Sequence, residues 1–561
     1  MYHTSPLSGI SVSKNGYLAS AGYDNRVILW DENTHIPVDV GFHDHLANQV
    51  CFSNNSKLLA SSSSDYSARI WDIPSMNLLA VLHHDDDVEG ISFSPNNQQI
   101  ATASRDKKVR VFSVQGALIH ELSGHEEDVL TVEWLSDTIV VSCGDDSTLR
   151  YWDIEKGTLL DTISLGGMET DTLCVTSQGQ IVSGNDDGEL VYFEKDGSEI
   201  SRIKGHKSGI KRLVLNQKRI ISLSYDRTFK IWEISEGKIL HLTEGQIPNI
   251  VWPRSCAFIN NDQVAFVTFG DRYAIYSIEH KKWDTAAIKP THGINGLYPT
   301  SDGCYTVGDS GIVKLGDRVI NQVPSLCNFI VSKYGMVICG GQDGAIYNAL
   351  TSEVIYQHHS PLNCCQLFEF KEDRYAVVGA YTGELIFLKL NERNQLVYWC
   401  SSTNHSNAIK DVIFDNGKIF TVCADTTVLV MECGKDLKLS PVLEGRHEKI
   451  VNGATAISGQ FVSISRDLTM RFWGSSPQVI KTPHKNSIKC IASDGESWLV
   501  TGDYRGTVCC YRVVDQSWHK QKISSSGISS VAYDEYQSVF LAASYDGKVH
   551  TINPNNLAKV G

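Results

Sequence analysis

Residues 140–153 read VVSCGDDSTLRYWD. An apolar run leads to a small hydroxyl residue, then to Asp146, and an alternating run ends in Trp152 six residues further on. Apolar side chains at every second position put one face of a strand into a core, and Gly-Asp-Asp-Ser between two such runs is turn chemistry. Working outward, VLTVEW (129–134) precedes this hairpin and TLLDTI (158–163) follows it, separated by Ser136-Asp137 and Lys156-Gly157. The unit is therefore four short antiparallel strands.

The same pattern recurs as LASAGYDNRVILWD, LASSSSDYSARIWD, IATASRDKKVRVFS, IISLSYDRTFKIWE and FVSISRDLTMRFW, centred on Asp24, Asp65, Asp106, Asp226 and Asp467. Weaker copies centre on Asp187, Asp271, Asp309, Asp343, Thr382, Asp425, Arg505 and Asp546, so that fourteen centres follow one another 34 to 45 residues apart. A four-stranded unit cannot bury both faces alone, and stacking such units around an axis makes a β-propeller, a ring that usually holds about four to eight blades. Fourteen repeats predict an all-β chain of two tandem propellers with about seven blades each, divided into 1–288 and 289–561. With His3 already inside the first repeat, the first ring is expected to close by side-chain packing or by strands exchanged between rings. Leu557–Val560 is expected to be the outer strand of the last blade.

This recurrence resembles the WD40 repeat family across the whole chain. The resemblance implies a hydrogen-bonded tetrad in each well-kept blade: His3, Ser20, Asp24 and Trp30; His43, Ser61, Asp65 and Trp71; His125, Ser142, Asp146 and Trp152; His206, Ser222, Asp226 and Trp232; His447, Ser463, Asp467 and Trp473. A buried carboxylate needs several donors, which an imidazole oriented by a hydroxyl and an indole helps to supply. Side by side, His, Ser and Asp also suggest a catalytic triad, but a catalytic site needs one copy and here there are five. In length and repeat number the chain also resembles double propellers of the actin-interacting protein 1 type, which makes an actin-filament regulator an alternative expectation.

The resemblance further implies that the loop before the first strand and the turn bearing the Asp emerge on one face of each ring. The position before the turn holds Tyr23, Arg105, Asp145, Asp186, Tyr225, Tyr381, Arg466, Tyr504 and Tyr545, and Tyr and Arg are enriched in binding hot spots. Asp85, Asp86, Asp87, Glu126, Glu127 and Asp128 join Asp145 and Asp186 in the third to fifth repeats. Eight carboxylates in one sector would either attract a basic docking segment or serve as a solvated rim.

A formal net charge of −14 opposes nucleic-acid binding, which needs a basic footprint. No apolar run is long enough to cross a bilayer, and no signal-like start is present. The 15 cysteines include no Cys-x-x-Cys pair and fall mostly in strand-like runs, as reduced thiols of a reducing compartment would. His43 with His45, and His358 with His359, could bind a metal, but one of each pair falls at a tetrad position. P-loop, HExxH and nucleophile-elbow patterns are absent. The inner-strand segments GISVS, QVCFS, GISFS, TVEWL and RLVLN read as mostly apolar, which disfavours channel enzymes. The expectation is a cytoplasmic, non-catalytic scaffold without cofactor or metal, binding protein partners and neither nucleic acid nor membrane.

Overall fold

A computed structural model describes residues 1–474 and 477–560. Among these residues the chain forms fourteen antiparallel sheets and two 3₁₀ turns, Lys435–Leu437 and Pro554–Asn556. Among the described residues no helix is long and apolar enough to cross a membrane. Blade 4 is typical: Val129–Trp134, Ile139–Gly144, Thr148–Asp153 and Thr158–Ser164 pair in sequence order. Its second strand, IVVSCG, is buried almost throughout, while the outer strand, TLLDTIS, is almost wholly exposed. The core thus lies between blades: Ala101, Val109 and Val111 of blade 3 pack on Val132, Trp134 and Trp152 of blade 4. Strands clamped between two neighbours lose the alternation that a half-buried strand shows.

The chain divides into Met1–Thr291 and a second unit from His292 onward, with seven sheets in each. The first boundary lies just after the expected residue 288, because the last residues finish the first unit. Asp271 N donates to Lys289 O at 2.9 Å, Gly270 bridges Pro290, and the Thr291 hydroxyl donates to Phe269 O at 3.1 Å.

The first ring closes by packing. Leu7, Ile10, Leu18, Ile28 and Trp30 of blade 1 meet Ala257, Ala265, Val267 and Tyr273 of blade 7, and Trp30 stands edge-on to Tyr273 at 5.4 Å. In the second unit, Leu297 of blade 8 packs on Leu541 and Ala543 of blade 14. Blade 14 has three strands, Ile528–Asp534, Val539–Ser544 and Val549–Ile552. The expected fourth strand from Leu557–Val560 does not form there. Pro554, which has no N–H to extend a ladder, opens the 3₁₀ turn, and Ala558–Lys559 instead pairs with the outer strand of blade 13, Ser517–Lys522.

One irregularity recurs in all fourteen blades: the inner strand shifts register near its first residue. The extra residue of such a β-bulge is unpaired and its side chain is re-aimed. The bulge residues include Ser8, Asn48, Glu89, Asp171 and Lys211 in the first unit, and Asn295, Asn328, Asn363, Lys410, Asn452, Lys489 and Ser529 in the second. In blade 7 the shift spans Val251 to Cys256 and takes in Arg254.

Candidate functional site

In blade 4, Trp152 Nε1 donates to Ser142 Oγ at 2.9 Å. An indole can only donate, so the hydroxyl proton passes to His125 Nε2, 2.7 Å away. That leaves Nδ1–H to donate to Asp146 Oδ2 at 2.8 Å. Burial pushes the Asp146 carboxyl up, but hydrogen bonds from His125, Thr148 and the Glu126 amide outweigh it and hold the group at about 2. Blades 1, 2, 6 and 12 bring together the other four tetrads the same way, with His-to-Asp distances of 2.9, 3.0, 3.2 and 2.9 Å. Ser20, Ser61, Ser222 and Ser463 accept from Trp30, Trp71, Trp232 and Trp473 at 2.8 to 2.9 Å. Every donor is spent within the group, so it holds the loops rather than activating a nucleophile.

Four further blades carry variants of the group. Blade 13 has a tetrad centre two residues before Arg505: His484 bonds Asp503 and Thr501, both at 2.8 Å. In blade 3, His84 Nδ1 turns to Leu82 O, and Arg110 takes Asp106 at 2.5 Å. In blade 10, where Thr382 replaces the Asp, His358 Nε2 bonds Glu384 at 3.0 Å. Blade 11 groups His405, Cys423 and Asp425 closely enough for a metal. However, His405 already bonds Thr427 and Thr421 at 2.8 Å, Cys423 Sγ donates to Asn407 O, and burial pushes that thiol up. The group is a tetrad variant.

The pre-turn residues share one backbone position. The amides of Tyr23, Arg105, Asp145, Asp186, Tyr225, Tyr381, Arg466, Tyr504 and Tyr545 each donate, at 2.9 to 3.3 Å, to a carbonyl just before the inner strand of their own blade. The amides of Ser64, Phe269, Asp309, Gln342 and Ala424 make the same bond at 2.8 to 3.0 Å. Asp309 is therefore a pre-turn residue rather than a turn centre.

In the first ring these residues and the bulge residues converge. Arg105 reaches Glu89 at 2.7 Å and Asp128 at 2.6 Å. Lys211 bonds Asp171 and, at 2.8 Å, Asp186, and lies 4.8 Å from the Tyr225 ring centre. Arg254 sits over Trp252 and Tyr23 at 5.3 and 5.8 Å and lies 3.7 Å from Glu89. Blades 3 and 7 are not neighbours, so this last pairing crosses the channel mouth. Burial, Asp171, Asp128 and Glu169 push Asp145 up to about 8 even though Arg105 opposes them. Burial, Asp186 and Asp171 push Glu169 up to about 7.

The eight expected carboxylates do not form one exposed face. Asp86 and Asp87 are buried, and Asp87 accepts from Ser64 Oγ at 3.0 Å. Exposed Asp85 is bound by Arg110 at 3.1 Å, and Glu127 by Lys107 at 3.1 Å. Glu126 is exposed. Sequence reading missed Glu89, Glu169 and Asp171, which only the bulges and entry loops bring to the mouth. On the inner strands, read as mostly apolar, Glu133 accepts from Ser92 Oγ at 2.7 Å, and burial pushes its carboxyl up.

The family model for the WD domain, G-beta repeat, matches residues 2–31, 39–72, 76–113 and 116–153. Autophagy-related protein 16 of Arabidopsis thaliana is 28% identical over 132 residues, 22% of this chain and 26% of that protein. Ribosome biogenesis protein YTM1 of Lodderomyces elongisporus is 30% identical over 104 residues, 18% of this chain and 19% of its own. The chain thus spans about a quarter or less of the length of these relatives. The solved structure of RRP9 WD40 repeats aligns at 22% identity with a TM-score of 0.44, covering 48% of this chain and 89% of that one. U3-55K aligns at 22% with a TM-score of 0.43, covering 47% and 88%. The WD-domain model thus matches the first four blades, and the same His–Ser–Asp–Trp group recurs beyond them in blades 6 and 12.

Proposed function

We propose that this chain is a non-catalytic scaffold of a reducing compartment, the cytoplasm, that assembles protein partners on its two propellers. We further propose that the first propeller receives a partner's Lys- or Arg-bearing segment at its channel mouth. One observation carries this reading: six carboxylates, Glu89, Asp128, Asp145, Glu169, Asp171 and Asp186, share three cations, Arg105, Lys211 and Arg254. Protonation near neutral pH is how such a cluster relieves its excess charge, and a bound cation would relieve it instead. The tetrad geometry supports the non-catalytic part, since its groups are saturated by one another.

The experiment is titration of the full chain with a fluorescent Lys-rich peptide at about 0.05 and about 0.5 M salt, where screening differs several-fold. The expected result is binding that weakens with salt and with Asp145→Asn plus Asp186→Asn. Equal affinity of that variant for the Lys-rich peptide, or no binding of the Lys-rich peptide by the parent chain, would reject the docking reading.

A further inference from the structure

The two backbone positions that build the first mouth, the bulge and the pre-turn residue, recur in the second ring with different side chains. Along blades 10 to 13 the pairs are Asn363 with Tyr381, Lys410 with Ala424, Asn452 with Arg466, and Lys489 with Tyr504. In blades 3 and 5 the same pairs are Glu89 with Arg105 and Asp171 with Asp186. From the bulge residues, the geometry points to a docking site for an acidic peptide segment, rich in Asp and Glu, at the mouth of the second ring on blades 10 to 13. This inference goes beyond the proposed role of the first ring and does not rest on it.

The sector's sign comes from the two positions themselves, which over blades 10 to 13 hold Lys410, Arg466 and Lys489 and no carboxylate. Its bulge, pre-turn and loop positions bring Lys410, Lys449, Arg466, Lys485, Lys489 and Arg505 to one arc. Among the described residues of the same arc the carboxylates are Glu384, Asp411, Asp425, Glu448, Asp467 and Asp503. Most of them are committed. Glu384 holds His358. Asp411 accepts from the Val412 and Ala454 amides, both at 2.9 Å. Asp425 accepts from the Thr427 and Ser406 amides at 2.9 and 3.1 Å. Asp467 takes His447, the Glu448 amide and Arg471, while Asp503 takes His484 and the Arg505 and Thr507 amides. These carboxylates sit under the loops with their lone pairs engaged, whereas Glu448 alone of the six is exposed.

The arc is also preorganised. Asn328, Asn363 and Asn452 each donate Nδ2–H to a carbonyl of the next blade's inner strand, Leu362 O, Ile409 O and Ile488 O, at 2.7 to 2.8 Å. Those bonds lock neighbouring inner strands together at the mouth. Tyr381 is placed between Gln342, whose Nε2 reaches its hydroxyl at 3.4 Å, and Lys410, whose Nζ lies 5.3 Å from its ring centre. Tyr504 stacks on Tyr545 at 6.4 Å with 14° between the rings. Phenols and ammonium groups held in fixed positions donate to carboxylates without a large ordering cost.

The test uses the full chain and three fluorescein-labelled probes: a Glu-rich peptide, a Lys-rich peptide and an oligouridylate of matched charge to the first. The variants are Lys410→Gln with Lys489→Gln, the charge-keeping Lys410→Arg with Lys489→Arg, and Asp186→Asn in the first ring. Anisotropy at low salt should show the Glu-rich peptide bound, at least about tenfold more weakly by the Gln variant. The Arg variant should bind it within about twofold of the parent, and Asp186→Asn should leave it unchanged. Circular dichroism melts check that the Gln variant remains folded; should it fail to fold, Lys485→Gln with Arg505→Gln replaces it, with the same loss expected. No binding of the Glu-rich peptide, unchanged binding by folded Gln variants, or tighter binding of the oligouridylate than of the peptide overturns the inference.

Discussion

Arg254 Nη2 lies 3.7 Å from Glu89 Oε2, and the same Glu89 accepts from Arg105 at 2.7 Å. One carboxylate of blade 3 therefore ties its own blade to blade 7 across the first ring. The Arg105 guanidinium, which also holds Asp128, is the hub of this arrangement.

Arg105→Gln should accordingly destabilise the first unit, because Glu89 and Asp128 would lose their nearest cation while remaining crowded by other carboxylates. Breaking a fully buried pair costs roughly 3–5 kcal/mol; with 23% of the Arg105 side chain exposed, about 2–4 kcal/mol is expected. Urea denaturation of parent and variant measures it, and a change under about 0.5 kcal/mol would show the hub to be a surface ion pair.

Stability should also fall as pH rises. The folded-state pKa of Asp145, about 8, and of Glu169, about 7, both stand above the unfolded values. Between the unfolded and folded pKa values the native state holds a proton that the unfolded chain releases, so their stabilisation is complete below about pH 4 and is lost as pH rises through 7 and 8. The tetrad carboxylates act oppositely: Asp146, held at about 2, contributes stability above its unfolded pKa and loses it as pH falls through about 2. Thermal melts from about pH 5 to about pH 9 should therefore decline, and Asp145→Asn should flatten the decline. A parallel slope in that variant would contradict the crowding at the mouth.

The tetrads predict a graded series. Trp152 is 1% exposed, so Trp152→Ala should cost about 3–5 kcal/mol. Trp152→Phe removes the indole donor to Ser142 along with part of the ring, and His125→Ala strands Ser142 and Asp146 at roughly 1–3 kcal/mol. In blade 13, Asp503→Ala should be damaging while Arg505→Ala should stay near about 0.5 kcal/mol, because Asp503 and not the residue at the repeat centre holds His484. The reverse order would restore the centre at Arg505.

Ala558→Pro removes an N–H from the strand that edges blade 13. Hydrogen exchange should then quicken in Ser517–Lys522 and remain as before in Val549–Ile552. Faster exchange confined to Val549–Ile552 would place the last strand on blade 14 after all.

The amino-acid sequence by itself determined the repeat, the four-stranded unit and the chemistry of five tetrads. Each follows from short-range rules: alternation along a strand, turn residues, and a His, a Ser, an Asp and a Trp at fixed spacing whose donors and acceptors match one another. Where the spacing slipped, as between Asp503 and Arg505, the pattern pointed two residues astray, since a side chain at the end of a strand reaches the same imidazole as one in the turn. Tertiary structure alone decided what depends on neighbours distant in sequence. It buried Asp86 and Asp87 while bulges brought Glu89 and Asp171 to the mouth, and it paired Ala558–Lys559 with blade 13. A carboxylate looks the same in sequence whether it meets water, Arg105 or another carboxylate, and only the closing of the ring determines which it meets.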